Sequence, residues 1–386
     1  MRRKFLPFHR PSIGAEEEAE VIRALRSGWL STGPRTQRFE KDFAGYIGCK
    51  HAIGLNSCTA GLHLALVAMG IGEGDEVITT PITFPSTANV IVHQRARPVF
   101  VDVDTDTLNI DPNKIEQAIT PRTRAIMPVH FAGHPCDMDT ICRIAQKHNL
   151  KIIEDAAHAF GAEYQGKEVG TLGDAAAFSF YATKNITTGE GGMLTTSDDE
   201  LASKINILRL HGISRDAWKR YGLEGYKHWD TIYPGYKYNM FDIQAALGIH
   251  QLKKAPKFLR VRKKYVEMYD NAFESIREIK ILGRKKNIKH AHHLYVILVE
   301  TENLAADRDV IMNAIQAENI GIGIHFRALH LQPYYKNTYG FKLGDLPNAE
   351  YASDRVISLP LYPAMTEADV ASVIEAATRV ILRYRR

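Results

Sequence analysis

The sequence predicts an α/β protein, with a large domain built on a mostly parallel sheet and a smaller α+β domain behind it. Three observations carry this expectation. From about residue 50, short apolar runs alternate with helical stretches, the pattern of βαβ units around a buried sheet. Near residue 240 that alternation gives way to one long helical stretch. A strand, a helix, a second strand and a last helix then follow, enough for a separate mixed domain. The expected division is 1–240 for the large domain, including an N-terminal helix segment, and 241–386 for the linking helices and the small domain.

The elements follow in order. Gly14 to Ser27 reads as a helix. Glu16, Glu17 and Glu18 lie at the positive end of its dipole, and Val21, Ile22 and Leu25 form its expected buried stripe. Gly28 ends it, and Ser31-Thr32-Gly33-Pro34 is a loop. Ala52–Leu55 is a strand before a helix from Thr59 to Met69. Glu76–Thr79 precedes a helix from about Ser86 to His93, and Pro98–Val101 follows. Arg124–Val129 precedes a helix from Asp139 to His148, and Lys151–Asp155 and Ala175–Phe180 are further buried strands. Right-handed crossovers gather the loops at the carboxyl ends of these strands, where open sheets bind ligands. Ser214 to Tyr238 lacks periodicity and reads as a long loop. The stretch from Phe241 to about Phe273 is helical, and Pro256 is expected to break or kink it. His293–Val299 is a strand, about Asp307 to Glu318 a helix, Gly323–Phe326 a strand, and Thr366 to Tyr384 the final helix.

Composition narrows the function. The 386 residues are 45% apolar and 24% charged, which suits a soluble globular chain. Forty-nine basic residues against 44 acidic ones leave +5, too mild to imply a nucleic-acid partner. No run approaches the roughly 20 apolar residues of a membrane span. Met1-Arg2-Arg3-Lys4-Phe5 is charged, but Pro7, His9 and Arg10 leave no apolar segment behind it, so it does not read as a secretory signal. Four cysteines without a Cys-x-x-Cys pair fit free thiols in a reducing cytoplasm.

The most informative segment is Asp155 to Lys184. Asp155 ends an apolar strand, Lys184 lies just past Phe178-Ser179-Phe180-Tyr181, and Gly189-Glu190-Gly191-Gly192 comes after the lysine. Glu154 and Asp155 are neighbours on a strand and point to opposite faces, so they are not a paired-carboxylate site. A lysine among apolar residues loses solvation and becomes a neutral nucleophile able to form a Schiff base with an aldehyde cofactor. A buried carboxylate nearby can keep a pyridine nitrogen protonated. On Asp155 and Lys184 alone, a solvated loop lysine and a capping aspartate remain the simpler reading. Asn56-Ser57-Cys58-Thr59-Ala60-Gly61 opens a helix after a strand and offers either a phosphate cradle or an ordinary cap. Phe84 suits a stacking partner or a core position. His325-Phe326-Arg327 with His330 suits an anion or a surface ion pair. His290 and His292 share a strand face but lack further ligands, so no metal site is expected.

Taken together, these segments resemble the DegT/DnrJ/EryC1/StrS family of pyridoxal-phosphate sugar aminotransferases. The resemblance spans nearly the whole chain. It rests on Gly28-Trp29-Leu30-Ser31-Thr32-Gly33-Pro34, Asn56–Gly61, Glu73-Gly74-Asp75-Glu76-Val77-Ile78, Glu154-Asp155-Ala156-Ala157-His158, Lys184-Asn185, Gly235-Tyr236-Lys237-Tyr238-Asn239 and His325-Phe326-Arg327. Within the family the chain is most similar to the branch that makes UDP-4-amino-4-deoxy-L-arabinose. The resemblance implies an aspartate-aminotransferase-like (fold type I) large domain and pyridoxal 5′-phosphate as cofactor. It implies that Lys184 binds the cofactor covalently and shuttles the proton, with Asp155 on the pyridine nitrogen. His158 stands where many relatives carry Gln, beside the ring oxygen. Phe84 matches the stacking aromatic, and Thr59, Ala60 and Ser179 match phosphate-binding positions. Tyr181, His325, Phe326, Arg327 and His330 match substrate-side positions. Lys237 and Asn239 stand where many relatives have Asn and Arg, in a segment that reaches the neighbouring subunit's site, and either one is a candidate for that contact. The implied reaction moves an amino group from L-glutamate, leaving 2-oxoglutarate, to a nucleotide-linked 4-keto sugar, within a homodimer with shared sites. A sugar dehydrase on this fold is disfavoured by Lys184, because related dehydrases carry His there. A non-catalytic cofactor-binding regulator is disfavoured because no DNA-binding segment is evident.

Overall fold

The computed structural model describes residues 2–214 and 229–386. Most of the expected long loop, 215–228, lies outside the described residues.

The chain begins with α1 (Ala15–Arg26) and α2 (Pro34–Ile47), then alternates β1 (His51–Leu55), α3 (Cys58–Ala68), β2 (Glu76–Thr79), α4 (Pro85–His93) and β3 (Arg97–Phe100). β4 (Thr123–Ile126), α5 (Met138–His148) and β5 (Lys151–Asp155) continue the pattern. A short hairpin, β6 (Glu163–Tyr164) and β7 (Lys167–Glu168), leads to β8 (Ala175–Ser179), β9 (Gly192–Thr196) and α6 (Asp199–Leu208). Among the described residues the large sheet has seven strands, in the order β1-β9-β8-β5-β4-β2-β3. β9 runs antiparallel to both neighbours, and the other pairings are parallel. β2 and β9 are buried along their whole length, as expected of strands covered by helices on both faces. The alanines of β8 bring α3 close: a Cβ on Gly61 would lie 3.0 Å from the Ala177 Cβ. That close approach aims the N-terminus of α3 at the carboxyl ends of β5 and β8.

A 32-residue helix, α7 (Asp242–Phe273), connects the domains and runs through Pro256 as one element, where a break or kink was expected. Its N-terminal half packs on α1 and α2, and Gly248 lets the Phe39 ring lie where a Cβ would be 2.6 Å from it. The small domain holds the antiparallel sheet of β10 (Ile279–Ile281), β12 (Tyr295–Val299) and β13 (Val356–Leu359), while β11 (Ile288–Lys289) joins the β6–β7 hairpin. α8 (Arg308–Ala317), α9 (Pro333–Tyr339), α10 (Pro347–Ser353) and α11 (Glu367–Arg383) complete the chain. Tyr265, Tyr269 and Phe273 of α7 pack with Ile297, Ile357 and Val373 in the small-domain core, and Leu6 joins them. Leu6 bridges Ile320, so the first residues start on the small domain, and Phe8 and His9 then pass the cavity described below.

Two local expectations are corrected. The buried face of α1 is Glu17, Glu20 and Ala24, whereas Ile22 and Leu25 are exposed. Gln251 and Lys254 of α7 bond Glu17 at 2.9 and 2.6 Å, and Arg35 bonds Glu20 at 2.9 Å, so the carboxylates are inside because they are paired. Gly323–Phe326 forms no strand; Gly323 makes a single bridge to Ser358.

Candidate active site

A cavity of about 780 Å³ opens where β5, β8 and the start of α3 converge. Asp155 and Lys184 form its floor. Asp155 is 3% exposed. Its Oδ2 accepts from the Thr87 hydroxyl at 2.7 Å and its Oδ1 from the Ala157 N–H at 3.1 Å. Burial pushes this carboxyl above the ordinary carboxylate range, and those two donors and Lys184 pull it back. Lys184 follows a tight turn closed by its own N–H on the Tyr181 carbonyl at 2.9 Å. Burial lowers its pKa from 10.5 to about 8, against the opposing pull of Asp155, so a substantial fraction of the amine is neutral near physiological pH.

The second feature is the N-terminus of α3. Ser57 caps it, its hydroxyl accepting from the Ala60 N–H at 3.1 Å. The N–H groups of Cys58 and Thr59, in the first turn, have no intrahelical acceptor and meet the cavity with the positive end of the dipole. β9 presses on this turn: a Cβ on Gly192 would lie 2.3 Å from the Ser57 carbonyl carbon. Gly192 has its reason there, whereas a Cβ on Gly191 would meet the Thr188 side chain instead.

The walls are rings. Phe84, 61% exposed, stands at the N-cap of α4 and meets Phe326 edge to face at 6.2 Å. His158 stacks on Phe326 at 5.8 Å and lies 4.4 Å from His293. Burial keeps both imidazoles neutral by driving their pKa values far below 6.5. His325 bonds the Ser358 hydroxyl at 2.9 Å and stacks on Phe8 at 5.5 Å; burial lowers it to about 4.

Of the sequence candidates, Thr59, Phe84, Asp155, His158, Ser179, Tyr181, Lys184, His325, Phe326 and Arg327 border this one cavity. Four do not. Ala60 is buried and its N–H is taken by Ser57. His330 is buried against Glu350 at 3.0 Å. Asn239 donates to the Thr32 hydroxyl at 2.6 Å, and Lys237 is exposed on the loop beside Asn56. Tyr236 and Tyr238 stack at 5.0 Å against His63, and strand alternation turns Lys237 the other way. The cavity also includes Phe8, His9, His293, Gln332 and Tyr335, and Thr87 supports Asp155 from below. Phe8 and His9 arrive by a tertiary crossing of the N-terminal arm that leaves no local signal. Thr87 occupies an ordinary first-turn position. His293 was legible only as the start of a strand.

A family model settles what this floor of lysine and aspartate belongs to: it matches residues 11–378. The chain belongs to the DegT/DnrJ/EryC1/StrS aminotransferase family. It is 56% identical over 385 residues to protein MJ1066 of Methanocaldococcus jannaschii, covering 100% of both chains. It is 52% identical over 381 residues to the spore coat polysaccharide biosynthesis protein SpsC of Bacillus subtilis, covering 98% of each. The sugar aminotransferase Spr1654 of Streptococcus pneumoniae, solved in its PMP form, superposes with a TM-score of 0.93 at 35% identity, over 98% of this chain and 99% of that one. A PLP form of the same protein superposes at 0.92. The fold is therefore fold type I and the chain is an aminotransferase with pyridoxal phosphate as its cofactor. The residues fit that group: a desolvated amine, a buried carboxylate, a helix N-terminus with free N–H groups, and a sealed His158 Nδ1 without a protein partner.

Proposed function

We propose that this aminotransferase moves an amino group from L-glutamate to the C4 keto carbon of a nucleotide-linked sugar, making a 4-amino sugar for a surface polysaccharide. The observation that carries this reading is the Lys184–Asp155 floor beneath a wide cavity with aromatic walls. Phe84, Tyr181 and Phe326 offer apolar faces of the kind on which sugar rings stack. Apart from Lys184, Arg327 is the one lysine or arginine among the described residues bordering the cavity, and it is exposed at the mouth, where a diphosphate or carboxylate would meet it. The names of SpsC and of the Helicobacter pylori pseudoaminic acid aminotransferase PseC support a sugar substrate and a polysaccharide product. UDP is favoured by the sequence resemblance.

Bound pyridoxal phosphate supplies an aldehyde carbon that carries the amino group and a ring that withdraws electrons. Cys58 and Thr59 N–H groups hold its phosphate, together with the Ser179 hydroxyl. Asp155 keeps a proton on the ring nitrogen, and Thr87 holds the carboxylate in place. Lys184 takes a proton from the α-carbon of glutamate and later gives one to C4 of the sugar, a task suited to an amine with a pKa of about 8.

A homodimer completes the reading. Trp29, Leu30 and Phe241 are exposed, and Asp242 N–H bonds the Ser31 carbonyl at 3.2 Å, so they form one apolar surface beside Lys237 and Asn239. A second copy seated there would bring Lys237 or Asn239 to the neighbouring cavity.

The test is borohydride reduction of the purified holoenzyme followed by peptide mapping. The reduced cofactor is expected on Lys184; an adduct elsewhere, or none, ends the assignment. Glutamate with a panel of nucleotide keto sugars, read by mass spectrometry, then tests the acceptor. Amination of free amino-acid keto acids alone would overturn the sugar reading.

A further inference from the structure

Arg262 of α7 is 0% exposed, and among the described residues no carboxylate pairs with it. Its Nη1 donates to the carbonyls of His292, His293 and Leu361 at 3.2, 3.1 and 2.9 Å. Nε and Nη2 are sealed and have no partner. These two nitrogens share the edge of the planar fork that lies across from Nη1. Their N–H bonds run parallel and aim at one point. Burial lowers the guanidinium from 12.5 to about 9, which leaves it charged at pH 7. A buried cation without a counter-charge is strongly unfavourable.

Arg262 borders a second, small void of about 10 Å³, together with His9 and Ser12 of the N-terminal arm and Lys184 of the catalytic turn. Among the described residues, eight buried side-chain polar atoms lack a hydrogen-bond partner, and four of them belong to Arg262, His9 and Ser12. Half of the unmet polar atoms therefore gather on the walls of one void. Its size suits one water or one monatomic ion and excludes phosphate or a carboxylate. Hydrogen bonding alone would admit a water, and charge decides against it. Arg10, Lys184 and Arg262 border the void, and no Asp or Glu does. A water leaves the guanidinium uncompensated. A halide neutralises it, accepting from both edge N–H groups and from the Ser12 hydroxyl. The Arg262 charge also disfavours a proton on His9, and a halide offsets that repulsion.

We propose that Arg262 and Ser12 form a buried halide site, filled by chloride. The site goes beyond the aminotransferase reading and does not depend on which sugar is the acceptor. The ion ties α7, through Arg262, to the N-terminal arm, through Ser12. Gln251 extends the tie to the turn after Lys184: it donates to the Ser12 carbonyl at 2.9 Å and accepts the Thr187 N–H at 3.4 Å. The same arm carries Phe8 to the wall of the main cavity, so the ion holds that wall in place.

The holoenzyme is exchanged into sodium gluconate, whose anion is too large for the void, and chloride then replaces gluconate at constant ionic strength. The thermal denaturation midpoint should rise and saturate with chloride, and with bromide in its place. Ser12→Ala should shift the half-saturating chloride concentration up about tenfold, and Arg262→Met should abolish the dependence. Crystals of the wild-type holoenzyme grown in bromide should show an anomalous peak at hydrogen-bonding distance from Arg262 Nε, Arg262 Nη2 and Ser12 Oγ. If Arg262→Met fails to fold, Ser12→Ala and the bromide peak still decide. A water without anomalous signal in the void, or a chloride dependence that Ser12→Ala leaves unchanged, refutes the site. A bromide peak in a protein that aminates no keto sugar would uphold the site and overturn only the function proposed above.

Discussion

Burial of the Lys184 amine works against folding, and the effect can be measured. In an unfolded chain its amine has a pKa of 10.5, and in the apoprotein burial brings it to about 8. A drop of that size corresponds, at about 1.4 kcal/mol per pH unit, to about 3.5 kcal/mol. The sign follows from proton counting. Well below pH 8 both states hold the proton and the folded state carries the full desolvation penalty. Between pH 8 and 10.5 the unfolded chain still binds the proton and the folded one does not, so stability rises with pH. Above 10.5 the penalty is gone. Lys184→Met keeps the length of the side chain and removes the charge. Apoprotein of this variant should be more stable than wild type by about 3 kcal/mol at pH 7, and the two should converge toward pH 10. Urea denaturation of both apoproteins, at one protein concentration and at several pH values, gives the difference curve. A difference that stays flat from pH 6.5 to 10 would refute the claim that the amine is desolvated, and with it the ground for proposing Lys184 as a base near neutrality.

Four other outcomes are expected. Asp155→Asn keeps the shape and the Thr87 contact but loses the charge; kcat/KM should fall about 10²–10³-fold with unchanged circular dichroism. Gly192→Ala places a methyl 2.3 Å from the Ser57 carbonyl carbon, and the shift of α3 should weaken cofactor affinity at least about tenfold in an apoprotein titration. His330→Leu breaks the buried bond to Glu350 outside the cavity, so the denaturation midpoint should drop by the equivalent of about 1–3 kcal/mol while KM holds. Inactive Lys184→Ala chains refolded with inactive chains carrying Lys237→Ala and Asn239→Ala should regain activity, because a mixed dimer has one intact site; no recovery would deny the shared site.

The large domain was legible because its strands are apolar on both faces. Lys151–Asp155 reads the same from sequence and structure, and α3, α4 and α5 begin within a residue of their expected starts. β9 was missed because Gly191-Gly192 looks like a loop, and what Gly192 permits is contact with the backbone of Ser57, a residue far away in sequence. α1 was misread for a related reason. Periodicity counts apolar side chains, but Glu17 lies inside through Gln251 and Lys254, partners more than two hundred residues away. Ile22 and Leu25 were left on the surface. Short elements such as β10, α9 and α10 offer too few turns or alternations to register. In the site, the floor was legible and the supports were not: Asp155 and Lys184 carry unusual chemistry for their positions, whereas Thr87, Phe8 and His293 are ordinary residues that folding delivers to the same place.

Glu154 shows how the sequence pattern separates two carboxylates that structure then uses differently. Strand alternation turns it away from Asp155 and into the protein, where it is 0% exposed. It accepts from the N–H groups of Gly170, Leu172 and Gly173 at 3.2, 3.0 and 2.8 Å, and from His130 Nε2 at 3.0 Å. His130 is fixed as the donor because its Nδ1 accepts the Cys136 N–H at 3.0 Å. Four donors leave Glu154 no capacity for anything else, and they tie the end of β5 to the loops before α5 and before β8. Asp155 has only two donors, and its backbone N–H is anchored on the Pro128 carbonyl at 2.9 Å. Its acceptor capacity is therefore unspent on the side that meets the cavity. The rigid carboxylate holds the strand end, and the under-satisfied one faces the cavity with acceptor capacity to spare, as the role proposed for it requires.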